Sequence, residues 1–144
     1  MHVLVTVDEL AQRLPAVRLL DVRWTVLAPD GLPAYRAGHI PGAVFVDLDA
    51  DLSDHAVTGQ GRHPLPSPTA LQTAARRWGL NDGDAVVVYD DWSGQAAARA
   101  WWLLRAAGVA DVRILDGGWA AWQRAGRASE SGDVSPTPGS LRVD

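Results

Sequence analysis

Apolar positions along the chain alternate between short unbroken runs and longer stretches in which they recur every three or four residues. The run "AVVVYD" (85–90) is apolar and β-branched, the pattern of a central parallel strand covered on both faces. It breaks at Asp90, crosses a short Gly-containing loop, and gives way to "QAAARAWWLLRAAG", a helix stopped by Gly108. "VRLLDVRW" (17–24) predicts a short buried strand with Asp21 near its end, and "AVFVDL" (43–48) a second strand. "VRILDGG" predicts another, followed by the short helix "WAAWQRAG" ended by Gly126.

Helix signals fill the spaces between these strands. Thr6 followed three residues on by Glu9 has capping-box spacing, and Pro15 closes that helix. In "PTALQTAARRWGL", with Ser67 or Thr69 as cap, Leu71, Ala74, Ala75 and Trp78 follow an i, i+3, i+4, i+7 pattern. Arg76 and Arg77 fall in its last turn, where cations suit the helix dipole, and Gly79 stops it. The Pro- and Gly-containing stretch after Trp24 is mostly loop, with one helical turn around Tyr35 and Arg36. Residues 49–68 form a long irregular segment.

Strands alternating with helices predict one α/β domain, residues 1–127, around a central, mainly parallel sheet flanked by helices on both faces. Residues 128–144, polar and rich in Pro, Gly and Ser, look like a linker or tail. Sites in such sheets lie at the carboxyl ends of the strands. Asp21, Asp47, Asp90 and Asp116 all fall near those ends.

Composition narrows the chemistry. The 144 residues suit a single domain, and 47% hydrophobic with 21% charged residues is a globular balance. The chain contains no cysteine, so thiol catalysis, disulfides and Cys-ligated metal are excluded for it. All 13 basic residues are arginine. The absence of lysine removes a phosphate-binding P-loop, a Schiff base and a lysine-assisted aspartyl phosphate. A net charge of −4 gives no basic footprint for nucleic acid. No run reaches the ~18 apolar residues of a membrane span. The opening residues turn polar too early for a signal peptide, so a cytoplasmic protein is expected.

Several candidate sites reduce to ordinary structure. The acidic run Asp47, Asp49, Asp51, Asp54 lacks the Gly and Glu of a calcium loop, with Leu52 and Thr58 in those places, so no metal is expected. His39 in "GHIPGA" is held on a defined turn, where a buried, backbone-bonded imidazole competes with a pocket role. His55 and His63 have no partner at metal spacing. The glycines of "LDGG" permit a tight turn and close backbone approach, not a dinucleotide site.

The loop from Asp90 leaves two readings open. Amide N–H groups turning into a helix N-terminus make an anion cradle. Asp90 could be an aspartyl nucleophile for phosphoryl transfer, chemistry that wants Mg²⁺ and often a lysine. Alternatively its carboxylate fills the cradle from within. A carboxylate accepting several N–H bonds is held ionised and makes a poor acid or base.

In chain order, "LLDVRW", "YRAGHIPGAVFVDLDADLSD", "GRHPLPSP", "VVVYDDWSGQAAARAWWLLR" and "VRILDGGWAAW" resemble the rhodanese-like sulfurtransferases. The resemblance covers about residues 5–127 and is closest to the N-terminal half of two-domain thiosulfate and 3-mercaptopyruvate sulfurtransferases. It implies a rhodanese-like fold without a cofactor. It also implies a partner, the C-terminal rhodanese domain, whose loop cysteine carries sulfur as a persulfide. Asp90 falls on the position of that cysteine, where the N-terminal domains usually have aspartate. By position the resemblance makes Trp24, His39 and the loop residues Asp91, Trp92, Ser93, Gly94 and Gln95 the lining of the active-site cleft, with no catalytic residue of this chain's own. Exposure of that interdomain face would favour self-association. The alternative is a stand-alone inactive module that binds partners.

Overall fold

The computed structural model describes residues 3–25, 27–53 and 65–143. Asp54, His55, His63 and the first half of the "GRHPLPSP" motif lie outside the described residues. In chain order the elements are β1 (Leu4–Val5), α1 (Val7–Arg13), β2 (Arg18–Asp21), α2 (Leu32–Ala37), β3 (Val44–Phe45) and α3 (Leu48–Asp51). These are followed by α4 (Pro68–Arg77), β4 (Val86–Tyr89), α5 (Gln95–Ala106), β5 (Val112–Leu115) and α6 (Gly118–Arg124). The five strands form one sheet in the order β1-β5-β4-β2-β3, with every pairing parallel.

The period-2 alternation of each strand divides the core between two faces. Leu20, Val86 and Val88 point to one face, where they meet Leu71 and Ala75 of α4 and Ala97, Ala100 and Leu104 of α5. Leu19, Val87 and Tyr89 point to the other, against Leu10 of α1 and Trp119 and Trp122 of α6. Both faces of β4 are therefore covered, which is why its sequence is apolar without interruption. Each fully buried Val or Leu contributes about 1.5–3 kcal/mol over its exposed state. Among the described residues no helix is long and apolar enough to cross a membrane.

Local signals set the helix starts. Thr6 Oγ1 accepts the Glu9 N–H at 3.1 Å while Glu9 Oε1 accepts the Thr6 N–H at 3.0 Å, a complete capping box. Ser67, rather than Thr69, caps α4 by accepting the Ala70 N–H at 3.1 Å. The "AVFVDL" strand is shorter than its pattern suggests, because the Asp47 carboxylate accepts the N–H groups of Asp49 and Ala50 and starts α3. Thus the irregular stretch expected from residue 49 opens with a helical turn.

The C-terminal segment lies against the domain. The backbones of His39 and Glu130 exchange two hydrogen bonds, 2.8 and 2.9 Å. Farther on, the N–H groups of Gly139 and Leu141 donate to the carbonyls of Arg76 and Leu80, and the Leu141 side chain is buried. This polar stretch is a strap, held by its backbone, by side-chain contacts such as the Arg36–Asp133 ion pair, and by the apolar side chains of Leu141 and Val143.

Candidate functional site

Asp90 follows β4 directly, at the carboxyl edge of the central strand, and its side chain turns inward. Oδ1 accepts the N–H groups of Trp92 and Gly94, both at 2.9 Å, and Oδ2 accepts that of Ala97 at 2.8 Å. These donors curve from the loop into the first turn of α5, so the carboxylate occupies the point where the helix N-terminus would hold an anion. Hydrogen bonds to a charged acceptor contribute about 1.5–3 kcal/mol each. They offset the left-handed backbone of Ser93 (φ 54°), which costs a non-glycine residue about 1–2 kcal/mol.

The same residue ties the neighbouring loop into place. The Asp90 carbonyl accepts the Trp119 N–H at 3.0 Å, bringing the start of α6 against the β4–α5 loop. Gly118, with φ +60°, makes this approach feasible: a Cβ there would lie 2.4 Å from the Asp90 carbonyl oxygen. The glycines of "LDGG" therefore serve close backbone packing. Between the two loops lies a cavity of about 570 Å³, lined by Asp90, Asp91, Ser93, Asp116, Gly117 and Arg124 among others. Nothing in that lining is a sulfur nucleophile.

Of the remaining loop residues, Asp91, Ser93 and Gln95 are exposed, while Trp92 and Gly94 are half-buried. Trp24 is only 5% exposed. Its ring meets that of Trp92 with centroids 5.4 Å apart, and its indole N–H donates to Asp49 Oδ2 at 2.9 Å. The tryptophan pair thus reaches solvent through Trp92.

His39 is placed differently from a cleft residue. Its ring is wholly buried and stacks on Tyr35 at 4.2 Å, with Nδ1 2.9 Å from the Ile40 carbonyl oxygen and Nε2 2.8 Å from that of Gly132. Both ring nitrogens meet backbone carbonyls, so His39 joins α2 to the strap and presents no edge to a cleft.

Beside it sits a buried polar centre that sequence reasoning singled out only as Asp21 at a strand end. Arg23 holds both Asp21 oxygens at 2.9–3.2 Å, donates to the Gly38 carbonyl, and lies 4.7 Å over the Trp119 ring. Burial pushes the Asp21 carboxyl up, against the pull of the Arg23 guanidinium and a hydrogen bond from Tyr89. Tyr89 is itself raised well above an ordinary phenol by burial and the Asp21 charge. The signal was the spacing of two charges, Asp21 and Arg23, in an otherwise apolar strand. The acidic run has local duties: Asp47 caps α3, Asp51 accepts the Asp47 N–H and pairs with Arg77, and Asp49 accepts the Trp24 N–H.

Comparison with known proteins gives this geometry a context. The family model for the rhodanese-like domain matches residues 6–125. SseB of Mycobacterium tuberculosis, a protein named for thiosulfate sulfurtransferase activity, is 55% identical over 99% of this chain and 51% of its own length. The 3-mercaptopyruvate sulfurtransferase of Escherichia coli is 40% identical over 94% of this chain and 49% of its own. The crystal structure of SseA from Escherichia coli superposes with a TM-score of 0.90 at 37% identity, over 100% of this chain and 56% of that one. The chain spans about half the length of the curated relatives it matches. It belongs to the rhodanese-like domain family, with homology to the sulfurtransferases.

Proposed function

We propose that this chain is the non-catalytic N-terminal domain of a two-domain sulfurtransferase acting on thiosulfate or 3-mercaptopyruvate. The observation that carries the reading is Asp90. It stands where a loop nucleophile would stand, and three backbone N–H groups already engage its carboxylate. No residue of the chain can form a persulfide, since it has no cysteine.

In the whole enzyme the second domain supplies the thiolate. With thiosulfate, that thiolate attacks the outer sulfur, the S–S bond of the donor breaks, and sulfite leaves with the bonding pair. An acceptor such as cyanide then takes the outer sulfur of the persulfide and releases the thiolate. This domain contributes the wall of the cleft through Trp92, backed by Trp24, which excludes water from the persulfide.

The test has two arms. The purified 144-residue chain is expected to show no thiosulfate:cyanide sulfur transfer. The encoding reading frame is expected to continue into a cysteine-bearing rhodanese-like domain, and the longer protein to be active. Transfer by the 144-residue chain, or a frame ending at Asp144, would overturn the reading. Without its partner the domain is also expected to self-associate through the Trp92 face, visible as concentration-dependent sedimentation.

A further inference from the structure

Two carboxylates brace the tryptophan pair from opposite ends. At one end Asp90 Oδ1 accepts the Trp92 N–H at 2.9 Å, and the Asp90 carboxylate's bonds to Gly94 and Ala97 fix the chain beyond Ser93. At the other, Asp49 Oδ2 accepts the Trp24 indole N–H at 2.9 Å. Between them the two rings meet at 5.4 Å with their planes 53° apart. The Asp49 carboxylate, the two indoles and, through the Trp92 backbone N–H, the Asp90 carboxylate form a continuous chain from α3 to the β4–α5 loop.

Such bracing matters because an indole on a loop otherwise samples several rotamers, and ordering it on contact with a partner costs conformational entropy. Here the backbone of Trp92 is clamped by Asp90 and its ring is backed by Trp24. Asp49 in turn keeps Trp24 from rotating about its own side-chain bonds. Thus the wall stands preformed before any second domain arrives. Asp49 is part of an acidic run that has no metal-binding pattern, and this contact gives its carboxylate a task.

We infer, on the reading proposed above, that Asp49 and Asp90 are positioning residues for sulfur transfer: they hold Trp24 and Trp92 as a rigid apolar wall against the persulfide of the second domain. Neither carboxylate touches the reacting sulfur. Both act through the tryptophans.

Two measurements test this. In the 144-residue chain, the far-ultraviolet exciton couplet of the paired indoles is read by circular dichroism, with Trp92→Phe defining its loss. Asp49→Ala is expected to weaken the couplet markedly while leaving the urea midpoint near that of the wild type. Asp49→Asn, which keeps an acceptor for the indole N–H, is expected to restore it. Asp49→Ala is the decisive variant, because Asp90→Ala removes three backbone partners and perturbs the fold itself. An unchanged couplet in Asp49→Ala overturns the bracing.

In the longer two-domain enzyme, Asp49→Ala is expected to lower kcat/KM by roughly tenfold, the scale on which a small misplacement near a reacting group acts. Asp49→Asn is expected to recover most of that loss. Wild-type turnover by Asp49→Ala, with the couplet lost, overturns the catalytic role. An inactive wild-type two-domain protein overturns the proposed function and the role together, whereas the couplet measurement judges the bracing independently.

Discussion

Asp21 ends β2 and Arg23 lies two residues beyond it, and the two bind each other in a fork of 2.9–3.2 Å with 0% and 6% of their surfaces exposed. Removing one partner of a buried pair strands the other charge, at a cost of about 3–5 kcal/mol. Asp21→Asn is therefore expected to lower the unfolding free energy by about that amount in urea titrations. A double replacement by apolar residues of similar volume is expected to lose less than either single change.

Alkaline pH should weaken the fold. Burial pushes the Tyr35 hydroxyl from 10.0 up to about 12, and its O–H donates to the Ala43 carbonyl at 2.6 Å. The folded state thus holds this proton more tightly than the unfolded chain does. The stability gained from the neutral phenol is whole below the ordinary value of 10.0 and drains away as pH rises toward about 12. Urea midpoints measured across that window are expected to fall, and Tyr35→Phe, which has no proton to lose, is expected to show a shallower decline.

Glycines 118 and 126 both have positive φ, +60° and +70°, yet only the first is crowded. Gly126→Ala should cost about 1–2 kcal/mol, the backbone penalty alone. Gly118→Ala should cost more, because its new Cβ would meet the Asp90 carbonyl oxygen at 2.4 Å. Thermal melts of the two variants side by side separate the steric contribution from the conformational one.

Two contacts of the strap invite a contrast. Arg36 and Asp133 form an ion pair of 2.8 Å with both side chains more than half exposed, so Arg36→Ala is expected to cost under about 1 kcal/mol. Leu141 is 5% exposed, and truncating a buried leucine costs about 2–5 kcal/mol. If Leu141→Ala were as mild as Arg36→Ala in a denaturant titration, the strap would be resting on the domain without stabilising it.

The sequence was most readable where a local rule and the tertiary environment agree. The helix after Asp90 combines apolar periodicity with a closing glycine, and the Thr6–Glu9 box appears atom for atom. Asp90 was readable for a similar reason, since a strand, a short loop and a helix leave a carboxylate one set of nearby donors. The first strand, Leu4–Val5, was missed because two residues carry no periodicity; pairing with β5 alone defines it. The buried, backbone-bonded reading of His39 holds, but the turn alone does not reveal its second partner, the Gly132 carbonyl, which lies 93 residues away. The Trp24–Asp49 contact was hidden for the same reason: neither residue type announces the other at that separation.

The strap also bears on where such a domain should be cut. The family match ends at residue 125, yet ordered packing continues through Val143, whose N–H reaches Gln72 at 3.0 Å. A clone ended where the family pattern fades would take the Leu141 N–H from the Leu80 carbonyl and the Gly139 N–H from that of Arg76, and expose the floor beneath Leu141. Poor yield from such a clone would report a misplaced stop codon, while saying nothing against the fold upstream of it.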